Sequence, residues 1–198
     1  MEIAAVVFSP AYFIARPLGI KGKVKMSAVY FGGSRSFFSH SPVMQSVVKS
    51  VLASGQSVHV GCQFGVDALV SAYASGAGSS LVVFAVAPSL RFAPAHVANA
   101  LACGARVVFS AGGQSAPMPA RYLLRSVAAF QGCESAVFFN PGVGSLAVAR
   151  ECVHAGLPVY AFSSNPPAPI PSTAGAWGPA VFHGFACWLW FNAQQSLF

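Results

Sequence analysis

Four times between residues 53 and 162 a helical pattern ends at a glycine and a β-rich run begins within a few residues. Ala53-Ser54-Gly55 precedes Ser57-Val58-His59-Val60, and Cys103-Gly104 precedes Arg106-Val107-Val108-Phe109. Gln131-Gly132 precedes Ala136-Val137-Phe138-Phe139, and Ala155-Gly156 precedes Pro158-Val159-Tyr160-Ala161-Phe162. Glycine just past a helix accepts the left-handed conformation that closes the last turn. The β runs are continuously apolar, as in Leu81-Val82-Val83-Phe84-Ala85-Val86, which is how strands covered on both faces read. Ser41-Pro42, Pro94 and Pro119 stand at first-turn positions of helices. Val43, Met44, Val47, Val48, Val51 and Leu52 mark one apolar helix face. The pattern predicts an α/β fold: an open, mainly parallel sheet of about six strands, near 27–31, 57–61, 81–86, 105–110, 135–139 and 158–162, flanked by helices.

Composition narrows what such a sheet can be for. The chain of 198 residues is 55% apolar and carries 11 Lys and Arg against 4 Asp and Glu, a net charge of +7. This excludes a disordered chain, and no collagen-like glycine period exists. A membrane-spanning helix needs about 20 consecutive apolar residues. The run 68–90 is broken by Ser75-Gly76, Gly78-Ser79-Ser80 and Pro88, and 180–193 is too short. Residues 3–15 contain Pro10 and follow Glu2 rather than a basic segment, unlike a signal peptide. The chain therefore reads as soluble and cytoplasmic, with no membrane partner. Cys62, Cys103, Cys133, Cys152 and Cys187 are odd in number and form no CxxC pair, so neither a disulfide framework nor a metal site is expected.

Charge divides the chain into three. Residues 1–25 form a basic extension with Arg16, Lys21, Lys23 and Lys25. The α/β pattern fills 26–163. Residues 164–198 are Pro-rich, then aromatic (Trp177, Phe182, Phe185, Trp188, Trp190 and Phe191) and free of charge. This last part is expected to pack on the domain or on a second subunit.

In an open parallel sheet, ligands bind beyond the carboxyl ends of the strands, so the loops there are the candidates. After the first strand comes Gly32-Gly33-Ser34-Arg35-Ser36. Its glycines let backbone approach a ligand, and Arg35 offers a planar fork to phosphate; the plainer alternative is a glycine turn with a solvated arginine. After the second comes Gly61-Cys62-Gln63-Phe64-Gly65-Val66-Asp67, where Asp67 is expected to cap the following helix and Cys62 to be an inert buried residue. After the fifth comes Asn140-Pro141-Gly142-Val143-Gly144-Ser145, a glycine turn opening a helix and so an anion site by geometry and dipole. Arg121 and Arg125 lie one turn apart on the helix before that strand, able to face the same way or to line a solvated face. The first loop is not GxGxxG and no acid ends strand two, which disfavours a nicotinamide dehydrogenase. GxxxxGK[ST], HExxH and GxSxG are absent.

Taken together, the Gly33-Ser34-Arg35 loop, the 61–74 segment GCQFGVDALVSAYA, ARYLLRSVAAFQGCESAVFFN and GVGSLAVARECVHAGLPVYAF resemble the Rossmann-like domain of DNA-processing protein A (DprA). DprA belongs with the LOG enzymes to the SLOG superfamily, and the resemblance covers about 26–163. It implies a phosphate- or nucleotide-binding pocket between the first-strand loop and the 141–145 loop, frequent homo-oligomers and, for DprA-like members, binding of single-stranded DNA. It assigns the anion role to Gly33, Ser34 and Arg35. Gly65 and Asp67 would match the GxD turn, Arg121 and Arg125 the basic helix, and Gly144 and Ser145 the second glycine loop. LOG-type phosphoribohydrolases carry PGGxGTxxE; here Val148 takes the position of the catalytic glutamate, and Glu151 lies one turn further on.

The leading expectation is a non-catalytic protein, without cofactor or metal, whose basic glycine-loop pocket binds a nucleotide or single-stranded nucleic acid and which forms a homodimer or larger homo-oligomer. Its site would comprise Gly32 to Ser36, Gly61, Gln63, Gly65, Asp67, Arg121, Arg125, Pro141, Gly142, Gly144 and Ser145. The alternatives are a nucleoside monophosphate phosphoribohydrolase using Glu151 or Glu134, and an oligomeric structural protein with a vestigial pocket.

Overall fold

Eight strands in one sheet form the frame, in the order β4-β3-β2-β1-β5-β6-β8-β7. The computed structural model describes residues 27–37, 39–109 and 116–193; the basic extension 1–25 lies outside them. The six expected strands are β1 (Ala28–Gly33), β2 (Ser57–Val60), β3 (Leu81–Ala85), β4 (Arg106–Phe109), β5 (Ser135–Phe139) and β6 (Val159–Phe162), and their pairings are all parallel. The expectation of about six is corrected by a hairpin, β7 (Gly175–Phe182) and β8 (Phe185–Asn192). β8 pairs antiparallel with β6, placing Tyr160 opposite Leu189. His183 and Gly184, at φ +49° and +85°, form the two-residue loop between the paired Phe182 and Phe185, the left-handed geometry that suits a right-twisted hairpin. Pro179 is tolerated within β7 because that strand is at the sheet edge.

Alternate residues along each strand feed opposite layers. Val29 and Phe31 join Val58, Val60, Val83 and Phe139 beneath α1 (Pro42–Ala53), α2 (Val66–Tyr73) and α3 (Ala95–Ala102). Tyr30, Ala136, Phe138 and Val159 join the opposite layer, under α4 (Met118–Phe130) and α5 (Val143–His154). The hairpin serves both layers, giving Phe182 and Cys187 to the first and Trp190 to the second. Each fully buried Val or Phe contributes roughly 1.5–3 kcal/mol over its exposed state.

Chain direction then fixes where a ligand can enter. From β1 the chain builds outward through β2, β3 and β4, then returns to place β5 on the other side of β1. Helices leave β1 and β5 on opposite faces, opening a crevice between their carboxyl ends. Ser41 starts α1 by accepting the Met44 N–H at 3.2 Å, with Pro42 in the first turn. Ser54 and Gly55 close it on the carbonyls of Ser50 and Leu52. Among the described residues no helix is long and apolar enough to cross a membrane.

Candidate functional site

The crevice between β1 and β5 is a cleft of about 860 Å³, within the range of small-molecule sites. Its first wall is the loop after β1. The Ser34 N–H donates to the Phe139 carbonyl at 3.2 Å, and the Ser34 carbonyl accepts the first N–H of α2, from Val66, at 3.1 Å. The loop is thereby tied to β5 on one side and α2 on the other. Within it, the Ser36 N–H donates to Ser34 Oγ at 3.2 Å, while Arg35 stays exposed. Neither ion pair among the described residues involves Arg35.

Facing it is the start of α5. Gly142 precedes this 12-residue helix and no side chain caps it, so the first-turn N–H groups, of Val143, Gly144 and Ser145, point their positive end outward. Gly142, Gly144 and Ser145 line the cleft. A guanidinium and a helix N-terminus lining one cleft are groups that could hold an anion.

The floor is built differently. Arg125 and Asp67 form a buried ion pair, Nη1 to Oδ2 at 3.2 Å, with side chains 5% and 8% exposed. The same carboxylate oxygen accepts the Gln63 N–H at 3.0 Å. Asp67 therefore does not cap α2 as expected: it reaches back to the loop ahead of the helix and across to α4. Burial works against the charge on Arg125, but the Asp67 carboxylate more than offsets it and lifts the guanidinium above its ordinary value. Burial pushes the Tyr30 phenol well up, against the pull of Arg125, so this ring lines the cleft as a neutral group.

Two glycines make this packing possible. A Cβ on Gly61 would overlap the Arg125 guanidinium and Asp67 Oδ2. Gly65, at φ +78°, brings the β2 loop against the backbone of Ser34 and Arg35, where a Cβ would have no room. Neither lines the cleft; both hold its walls together.

Of the predicted site residues, Gly32 to Ser36, Gln63, Asp67, Arg125, Gly142, Gly144 and Ser145 meet around the cleft. Pro141 and Arg121 are not among its lining. Arg121 Nη1 instead lies 3.4 Å from Met118 Sδ, and Arg125 is buried beneath the cleft, so the two arginines do not act as one basic face. An apolar wall of Tyr122, Leu123, Phe138, Val143 and Val148, rimmed by Met118, was not anticipated apart from Val148. Its signal was the apolar content of α4 and α5, indistinguishable in sequence from core.

The remaining carboxylates stand elsewhere. Glu151 accepts Arg150 Nη2 at 2.6 Å and does not line the cleft. Glu134 precedes β5, at the opposite sheet edge, and accepts Gln56 Nε2 at 3.4 Å. Among the described residues no group of three His, Cys, Asp or Glu is placed to hold a metal. Burial raises the Cys62 thiol, despite the pull of Arg125, leaving it un-ionised.

Neither a protein-family model nor a curated protein matches the chain. Solved structures do. DNA processing protein A from Helicobacter pylori, described for its single-stranded DNA binding mode, superposes at TM-score 0.53 with 12% identity, over 70% of this chain and 66% of its own. DprA from Streptococcus pneumoniae gives TM-score 0.55 and 19% identity, over 75% of this chain and 53% of its own. The chain shares the fold of these DprA structures. The structural-genomics target TM1055 shares it at TM-score 0.50 and 18% identity, over 68% of this chain and 72% of its own. At these identities the shared property is the fold. The chain spans less than two thirds of either DprA protein's length, 66% and 53%.

Proposed function

We propose that this protein binds a phosphate-bearing ligand of the nucleotide or single-stranded nucleic-acid class in the β1/β5 cleft, without transforming it. The observation that carries this reading is that an exposed Arg35, in neither ion pair among the described residues, and the N-terminus of α5, which no side chain caps, line one cleft. The apolar wall beside them suits a nucleobase. A net charge of +7 favours a polyanion, and the single-stranded DNA binding of the Helicobacter pylori protein with this fold points to the same ligand class. The non-catalytic part rests on the carboxylates: Asp67 is held by Arg125, and Glu151 by Arg150.

Fluorescence anisotropy with a labelled oligothymidylate tests the reading. Log affinity should fall with log salt, by about 0.7 for each phosphate neutralised. Arg35→Ala should weaken binding roughly 10- to 150-fold, the worth of a hydrogen bond to a charged group. Salt-insensitive binding unchanged by Arg35→Ala would refute the cleft as the site. Release of free base from nucleoside monophosphates would replace binding with hydrolysis.

A further inference from the structure

Between β6 and the hairpin the chain runs through Asn165-Pro166-Pro167-Ala168-Pro169-Ile170-Pro171. Every residue from Pro166 to Pro171 is a proline or stands directly before one. Proline fixes φ at about −65° and has no N–H, and the residue before it is driven to extended backbone. The run is thereby set toward polyproline II, and residues 166–170 carry neither helix nor strand. With three residues per turn, such a rod has three edges, and its burial follows that period. Pro167 and Ile170 turn inward, Ile170 to 1% exposure in the layer under α4 and α5. Pro166 and Pro169 form one exposed edge, Ala168 and Pro171 the other. Side chains pin the rod along its length. Trp177 Nε1 donates to the Ala168 carbonyl at 3.0 Å and Thr173 Oγ1 to that of Ile170 at 2.9 Å. Just ahead of it, Trp188 Nε1 donates to the Ser163 carbonyl at 3.2 Å.

We infer that this rod is a docking ridge for a partner protein with an uncharged, aromatic-lined groove of the kind that reads polyproline II. Pro166 and Pro169 recur on one edge about 9 Å apart, so two neighbouring slots between aromatic rings can take them at once. A free proline-rich peptide gives up freedom on docking. This one is already held by two indoles and a core isoleucine, which lowers that cost. Charge selects the occupant. Residues 152–198 contain no Lys, Arg, Asp or Glu, although the chain as a whole carries +7. A groove lined with charge would bury it here without a counter-charge, and a nucleic acid would find no cation on the ridge. The inference is independent of the β1/β5 cleft, none of whose lining residues belongs to the ridge.

Purified SH3, WW and EVH1 domains, which bind such rods through aromatic-lined grooves, are the probes. Titrated calorimetrically against the whole chain, at least one of them should bind. Replacing both outward prolines, Pro166→Ala with Pro169→Ala, should weaken that binding roughly 10-fold or more. Both side chains are exposed and Ile170 is untouched, so the double variant should melt at the wild-type temperature. Arg35→Ala should bind the same domain as the wild-type chain does. In the wild-type chain the indole N–H resonance of Trp177, bonded to the rod, should shift on binding. Binding by none of the three domains overturns the ridge, as does binding that the double variant leaves unchanged. Self-association of the wild-type chain that the double variant abolishes would give the ridge to a second copy and equally overturn the inference.

Discussion

Arg35 and Arg125 line the same cleft and do opposite things. Arg35, on the rim, is exposed and joins neither ion pair among the described residues. Arg125, in the floor, is 4% exposed and bound to Asp67. A rim guanidinium in water loses little on folding and stays available to a ligand. A floor guanidinium is tolerable only with a partner, and once paired it has little charge left to offer. The comparison teaches that cations count toward ligand binding only when the fold leaves them unspent. Arg125 ties the loops together; Arg35 is left for the proposed anion.

The division can be broken most forcefully from the floor. Asp67→Ala removes the counter-charge and leaves Arg125 buried alone, which should cost about 3–5 kcal/mol in urea unfolding. Gly61→Ala attacks the same pair sterically, because its new methyl group must displace the guanidinium; a loss of about 1–3 kcal/mol is expected. Replacing both partners together, Asp67→Leu with Arg125→Met, should recover most of the stability lost in Asp67→Ala, since the expense lies in the unpaired charge rather than in losing the bridge. If the double variant is as unstable as the single one, the pair is not the floor's organising contact. Arg35→Ala should move stability least, within about 0.5 kcal/mol, while abolishing most ligand affinity. A large stability loss there would erase the distinction between rim and floor.

How far this was legible from sequence depends on the range of the contacts involved. The parallel strands announced themselves because burial on both faces demands unbroken apolar runs, and Leu81–Ala85 is one. The hairpin did not. Its β8 run, Ala186-Cys187-Trp188-Leu189-Trp190-Phe191, has no charged residue to mark a solvent face, and His183-Gly184 is a less recognisable turn than Asn-Gly or Asp-Gly. The glycine loops of the cleft were visible as loops, since each follows a strand within a few residues. Their tertiary jobs were not. Asp67 reads as a helix-starting acid, yet its partner Arg125 is 58 positions away. Arg121 and Arg125 look equivalent at a spacing of one turn, but four residues leave about 40° between them on a helix. The sheet-facing stripe of α4 runs through Arg125, Ser126, Ala129 and Phe130, which buries one arginine and leaves the other off the cleft.

The central claim is that a phosphate sits between Arg35 and the N-terminus of α5. A crystal structure with thymidine monophosphate bound tests it most directly. The account predicts phosphate oxygens within hydrogen-bond reach of the Arg35 guanidinium and the N–H groups of Gly144 or Ser145, with the Asp67–Arg125 bridge intact beneath. A nucleotide bound away from that cradle, or one that draws Arg125 out of its pair while Arg35 remains in solvent, would contradict it.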